Sequence, residues 1–122
     1  PDNRKSAASA CVPSCIFTDP EIASIGLSED KAIANGLSVA IHKFDFLGSG
    51  MARILDEAEG FIKIVSDKNS DVVLGATIIG PKATELIGIL TLAVSNSLSI
   101  NNLRQAIFAH PTLSESITEA LN

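Results

Sequence analysis

Gly60-Phe61-Ile62-Lys63-Ile64-Val65-Ser66-Asp67-Lys68-Asn69-Ser70-Asp71-Val72-Val73-Leu74-Gly75-Ala76-Thr77-Ile78-Ile79 is the stretch on which the fold turns. Two apolar runs, Gly60 to Val65 and Val72 to Ile79, flank the turn-forming residues Ser66 to Asp71. Asp, Asn and Ser side chains bond their own backbone in turns, so this stretch predicts an antiparallel hairpin at the heart of a sheet. The second run is apolar at nearly every position, which predicts a central strand covered on both faces.

On the N-terminal side, Leu37 to Phe46 reads as a third strand. It contains His42, which is given no role because a lone strand histidine is usually a satisfied polar residue. Cys15 to Thr18 and Glu21 to Gly26 read as extended runs separated by Asp19-Pro20, where proline disfavours helix for its predecessor. Ser28 is placed to cap a short helix, with Glu29 and Asp30 in its positive first turn and Gly36 as its stop. Gly48-Ser49-Gly50 reads as a loop, since no phosphate-binding glycine pattern follows it.

On the C-terminal side, Gly80-Pro81 opens a helix from Ala83 to Leu98 that carries Leu86, Ile87, Leu90, Leu92 and Val94 and almost no charge. A helix apolar nearly all round must be covered on more than one side, and in a domain this small one cover is another subunit. Asn101 or Asn102 is expected to cap a short segment containing Leu103, Ala106 and Ile107.

The chain ends on Phe108-Ala109-His110-Pro111-Thr112-Leu113-Ser114-Glu115 and a last helix with Leu113, Ile117, Ala120 and Leu121 as its apolar stripe. Pro111 suits a first helical turn, and Thr112-x-x-Glu115 has the spacing of a capping box. His110 then stands just ahead of a helix whose carboxylate can reach back to it, the arrangement of a general base and its orienting acid. The same spacing also fits a Glu115 that only caps backbone and a His110 that is only a loop residue.

At 122 residues the chain suffices for one core, which with no Trp or Tyr must be built from Ile, Leu, Val and Ala. Its net charge of −5 argues against nucleic acid or an anionic membrane as partner, and no apolar run is long enough to span a bilayer. Residues 1–11 read as a linker or the tail of a preceding domain and 12–122 as one domain. A first residue that is Pro, with the single Met internal at Met51, suggests a piece of something longer. Cys11 and Cys15 have three residues between them, which is not the two of thioredoxin-type motifs, and are expected to be free thiols.

Three words stand in the same order as in a known family. Phe17-Thr18-Asp19-Pro20-Glu21-Ile22-Ala23-Ser24-Ile25-Gly26, Gly80-Pro81-Lys82-Ala83-Thr84-Glu85-Leu86-Ile87 and His110-Pro111-Thr112-Leu113-Ser114-Glu115 resemble the C-terminal domain of the dihydrolipoamide dehydrogenases. These are flavin-dependent pyridine-nucleotide disulfide oxidoreductases, and the resemblance covers roughly Val12 to Ala120. It implies an α+β interface, or dimerisation, domain whose antiparallel sheet is packed with helices. It implies a homodimer to which helix 83–98 contributes, and an enzyme whose other domains bind FAD, with a reactive Cys pair, and NAD. This fragment alone is then expected to be inactive and to bind neither cofactor nor metal.

The resemblance further implies that His110 acts across the dimer on the partner's thiol pair, with Glu115 orienting the ring and favouring its charged form. His110 and Pro111 would approach the partner's flavin. The implied substrate is dihydrolipoamide or a lipoyl domain, the implied setting a 2-oxo acid dehydrogenase complex in the cytoplasm or the mitochondrial matrix. Two departures stand out: Met51 where the family often has a basic residue, and Phe108 where many members have a second His. The competing readings are a freestanding dimerisation module without chemistry and the same domain of another disulfide reductase such as glutathione reductase.

Overall fold

The computed structural model describes residues 11–122. The expected linker over 1–11 therefore lies, apart from Cys11, outside the described residues. Strands β1 (Ser14–Ile16), β2 (Glu21–Gly26), β3 (Val39–Asp45), β4 (Phe61–Asp67) and β5 (Val73–Gly80) form one sheet in the order β1-β2-β5-β4-β3. Each neighbouring pair is antiparallel. The architecture is α+β, and β5 is the central strand. At the β4–β5 turn, Asp67 Oδ1 accepts from the Asn69 N–H at 2.8 Å and more weakly from Ser70 at 3.4 Å.

Register decides which side chains make the core. Ala23, Ile78 and Ile62 share one row across β2, β5 and β4, and Ile25, Ala76 and Ile64 the next; all are buried. Six residues of α1 (Glu29–Ala34) and five of α2 (Gly50–Ile54) are followed by the longer α3 (Ala83–Ser95), then α4 (Ile100–Gln105) and α5 (Glu115–Leu121). α3 packs on β2 and β5, and α5 packs on β3 and β4. Their buried residues Leu86, Ile87, Leu90, Ile117 and Leu121, with Leu113 just before α5, belong to the same core as the two sheet rows.

The opposite face of the sheet corrects the expectation that β5 is covered on both sides. Its row Ile22, Ile79 and Phe61 is only half-buried, as are Ser24, Thr77 and Lys63 beside it. On that face α1 packs beside β3, and its Glu29 meets Lys63 at 3.0 Å. α3 is likewise covered on one side only: Ala83, Leu86, Ile87, Leu90 and Ala93 are buried, while Gly88 and Leu92 face outward. It also stops at Ser95, short of the expected Leu98, where Ser97 takes φ +50°.

Caps explain the other boundaries. Ser28 Oγ accepts from the Lys31 N–H, as its position predicts, and Gly36 leaves the helix at φ +81°. The Gly48-Ser49-Gly50 stretch is a correction: a 3₁₀ turn at Phe46–Gly48 leads into α2, because buried Ser49 accepts from the Ala52 N–H at 3.1 Å. The cap of α4 is Ser99, not Asn101 or Asn102. Ser99 Oγ accepts from the Asn102 N–H at 3.0 Å while Asn102 Oδ1 accepts from the Ser99 N–H at 2.9 Å, a reciprocal box. α4 ends at Gln105, leaving Ile107 98 % exposed. Glu21 ties β2 to the start of α3, its Oε1 accepting from both N–H and Oγ1 of Thr84 at 3.1 and 2.9 Å. Cys11 and Cys15 are both free thiols.

Candidate active site at His110

α5 is short, and its placement rests on burial: Ser116, Ile117, Ala120 and Leu121 face the core, with Leu113 just before the helix joining them. That leaves the first turn at the rim of the domain, where Glu115 is the first helical residue and only 29 % of its side chain is exposed. One carboxylate oxygen, Oε2, accepts from the Thr112 N–H at 2.9 Å. The other, Oε1, lies 2.7 Å from His110 Nδ1.

The capping box is therefore half formed. Glu115 satisfies the Thr112 backbone, but Thr112 Oγ1 turns back to donate to the Ala109 carbonyl at 2.6 Å. Pro111 does not sit in the first helical turn as expected. It stands four residues before the helix, in the loop that Glu115 and Thr112 pin, after a cis peptide from His110.

A carboxylate can only accept, so Nδ1 of His110 carries the shared hydrogen, and in the neutral ring Nε2 holds the lone pair. The His110 side chain is 82 % exposed, which leaves Nε2 open to a group from outside the chain. The Thr112 N–H, and after it the bond to His110, hold the Glu115 carboxyl below the usual carboxylate range. Glu115 is thus ionised through the neutral pH range and can balance a positive charge on the ring. This pair can take a proton at Nε2 and return it.

A hollow of about 190 Å³ opens beside the pair, with Phe44, Met51, Pro111 and Glu119 on its walls. Phe44 arrives through the register of β3 and Met51 through the Ser49-capped α2, so neither was legible as a site residue from local sequence. Glu119 repeats Glu115 at helical spacing, a signal that periodicity does carry. A larger cleft of about 560 Å³ is lined by Asp19, Glu21, Asp56, Glu57, Glu59 and Lys82 and holds neither His110 nor Glu115. His42 lies outside both. It is half-buried with Nε2 3.0 Å from Ser66 Oγ, and burial, aided by the Arg104 charge and opposed by Asp71, pushes its pKa down. Among the described residues no group of three or more His, Cys, Asp or Glu could hold a metal ion, and no helix is long and apolar enough to cross a membrane.

Residues 12–121 match the family described as pyridine nucleotide-disulphide oxidoreductase, dimerisation domain. The chain is 47 % identical over 109 residues to dihydrolipoyl dehydrogenase of Bacillus subtilis, a match spanning 89 % of this chain and 23 % of that protein. It is 39 % identical over the same length to dihydrolipoyl dehydrogenase 1, mitochondrial, of Arabidopsis thaliana, covering 89 % of this chain and 22 % of that one. Among solved structures, LpdA of Mycobacterium tuberculosis superposes with a TM-score of 0.86 at 32 % identity, over 92 % of this chain and 24 % of LpdA. The HOCl-induced flavoprotein disulfide reductase RclA of Escherichia coli also gives 0.86, at 26 % identity, over 90 % of this chain and 25 % of RclA. The chain thus spans about a quarter of the length of these relatives.

Proposed function

Because the chain belongs to the pyridine nucleotide-disulphide oxidoreductase dimerisation-domain family, we propose that it is the C-terminal part of a dihydrolipoamide dehydrogenase in which His110 is the acid/base for dithiol/disulfide exchange. The observation that carries this reading is the 2.7 Å contact between His110 Nδ1 and Glu115 Oε1, with the ring's other nitrogen turned to solvent. A base whose far nitrogen is held by an ionised carboxylate has one tautomer, one orientation and a partner for the charge it acquires.

In the forward direction Nε2 takes the proton of one substrate thiol. The resulting thiolate attacks one sulfur of the reactive Cys pair on the other subunit, forming a mixed disulfide and releasing the second cysteine as a thiolate. The remaining substrate thiol passes its proton to the released cysteine thiolate and displaces the first cysteine as a thiolate beside the protonated His110, so the substrate leaves as a disulfide and the protein pair holds the two electrons. FAD and NAD, held by the other domains of such an enzyme, would supply the acceptors for that electron pair. The exposed His110 and Pro111 are the residues of this chain that reach toward the partner's flavin. Their imidazole and backbone do not enter the electron transfer.

The substrate is dihydrolipoamide, free or on a lipoyl domain of a 2-oxo acid dehydrogenase complex, in the cytoplasm or the mitochondrial matrix. The homodimer forms in part through the outer face of α3, where exposed Gly88 and Leu92 sit beside half-buried Ile89. The deciding test is flavin reduction by dihydrolipoamide in the whole protein, followed in a single turnover. His110→Gln slows that step by about a hundredfold or more, the range of a lost general base. An unchanged rate removes His110 from the mechanism.

A further inference from the structure

His110 is held by one side-chain contact, so its position is only as fixed as Glu115, and Glu115 is only as fixed as α5. That helix has seven residues, too few to hold itself in place without its packing and its ends. At its far end Arg104 Nε donates to the Leu121 carbonyl at 2.8 Å. Arg104 comes from the last turn of α4, whose own start is locked by the reciprocal Ser99–Asn102 box. The two helices are joined by residues 106–114, a connection with no helix or strand, and His110 lies in it.

We propose that Arg104 is a positioning residue for His110. The Arg104–Leu121 bond closes the segment 104–121 that carries the base, which is pinned by the clasp at the C-terminus of α5 and by Thr112, Glu115 and His110 at the N-terminus of that helix. The carbonyls in the last turn of a helix have no intrahelical partner, and a guanidinium both satisfies one and complements the negative end of the dipole. Without it α5 keeps its core contacts but loses the bond that fixes its last turn, and a small shift of the helix along its axis moves the Glu115 carboxylate away from Nδ1. The inference deepens the acid/base reading and rests on it for its kinetic consequence, but the geometric claim stands without chemistry.

The experiment separates the two. In the whole protein labelled with ¹⁵N-histidine, the His110 ring signals report the Nδ1 contact, and Glu115→Gln supplies their position when the carboxylate is lost. In Arg104→Met those signals move at least half the way to that limit, while Arg104→Lys, which can still donate to the carbonyl, restores them at least in half. If His110 is the base, Arg104→Met also lowers kcat about tenfold with little change in KM, less than the ~10²-fold that an ångström of misplacement can cost. Should Arg104→Met fail to fold, Arg104→Gln and Arg104→Lys are compared in its place, and the ring signals follow the ability to reach the carbonyl. Ring signals unmoved in the Met or Gln variant, or displaced equally by Lys, overturn the proposal. Moved signals with unchanged kcat keep the clasp and sink the catalytic reading instead.

Discussion

Glu115 meets His110 with one carboxylate oxygen and the Thr112 backbone with the other, at 2.7 and 2.9 Å. A single side chain thus does both jobs that its spacing suggests: it satisfies a loop amide ahead of the helix and it holds the imidazole. Capping and orientation are not alternatives here, because a carboxylate has two oxygens and enough lone pairs for both.

The double duty sets the expected outcome for Glu115→Gln. The amide can still accept from Thr112, so the loop stays folded, but it no longer balances a charge on the ring. If His110 is the base as proposed, turnover of the whole protein with dihydrolipoamide falls less than in His110→Gln, and the acid limb of kcat/KM shifts relative to the unaltered protein. Normal activity with an unmoved pH profile would leave capping as the only work of Glu115.

Acid stability follows from two depressed pKa values. His42 and Glu115 both titrate in the folded chain below their ordinary values of 6.5 and 4.5. In each case the unfolded chain takes up the proton first, so stability is complete above the ordinary value and is lost as pH falls through the folded one. Urea midpoints should therefore start to decline below about pH 6.5 and decline again below about 4.5. His42→Gln, which keeps a hydrogen-bonding partner for Ser66 but does not titrate, removes the first decline and leaves the second. A His42→Gln protein with the same slope between pH 6.5 and 5 would place that loss elsewhere.

Two glycines separate backbone conformation from crowding. Gly60 precedes β4 at φ +110°, and a Cβ there would run into the carbonyl of Ile79. Gly36 follows α1 at φ +81°, yet nothing lies within 4 Å of where its Cβ would be. Gly36→Ala should lower stability by about 1 kcal/mol through conformation alone. Gly60→Ala adds a backbone clash where β4 begins beside the end of β5 and should lower it by about 3 kcal/mol or more. Equal urea midpoints for the two variants would contradict the crowding argument.

Much of this was legible residue by residue. The β4–β5 hairpin was readable because its signals are local: apolar runs on either side of Asx-type turn formers. The stripe Leu113, Ile117, Ala120 and Leu121 was readable because helical periodicity maps directly onto burial. α2 was not, since two glycines mask a helix whose existence depends on one serine being buried in the right place. Asn101 and Asn102 are the cap formers that the sequence offers for α4 and Ser99 is missed, because which residue caps depends on a reciprocal pair that a list of residues does not order. At the site, His110 and Glu115 are five apart and could be paired by inspection. Phe44 and Met51 reach the same hollow only through the sheet's register and the unexpected helix.

The outer face of α3 carries the last prediction. Its inner side is spent on the core through Leu86, Ile87, Leu90 and Ala93, while Leu92, 62 % exposed, stands outside that core. A leucine left out on a helix beside an exposed glycine costs nothing to replace in the monomer, whereas a carboxylate buried between two subunits without a partner is expensive. Leu92→Asp should therefore leave the thermal midpoint of the folded domain nearly unchanged. In the whole protein it should weaken self-association at least about thirtyfold by sedimentation, the loss of a central interface anchor worth about 2 kcal/mol. Because His110 would act across that interface, activity should fall with dilution in parallel with the dimer. Dimers that persist at nanomolar concentration in Leu92→Asp would move the subunit contact to another face of the domain.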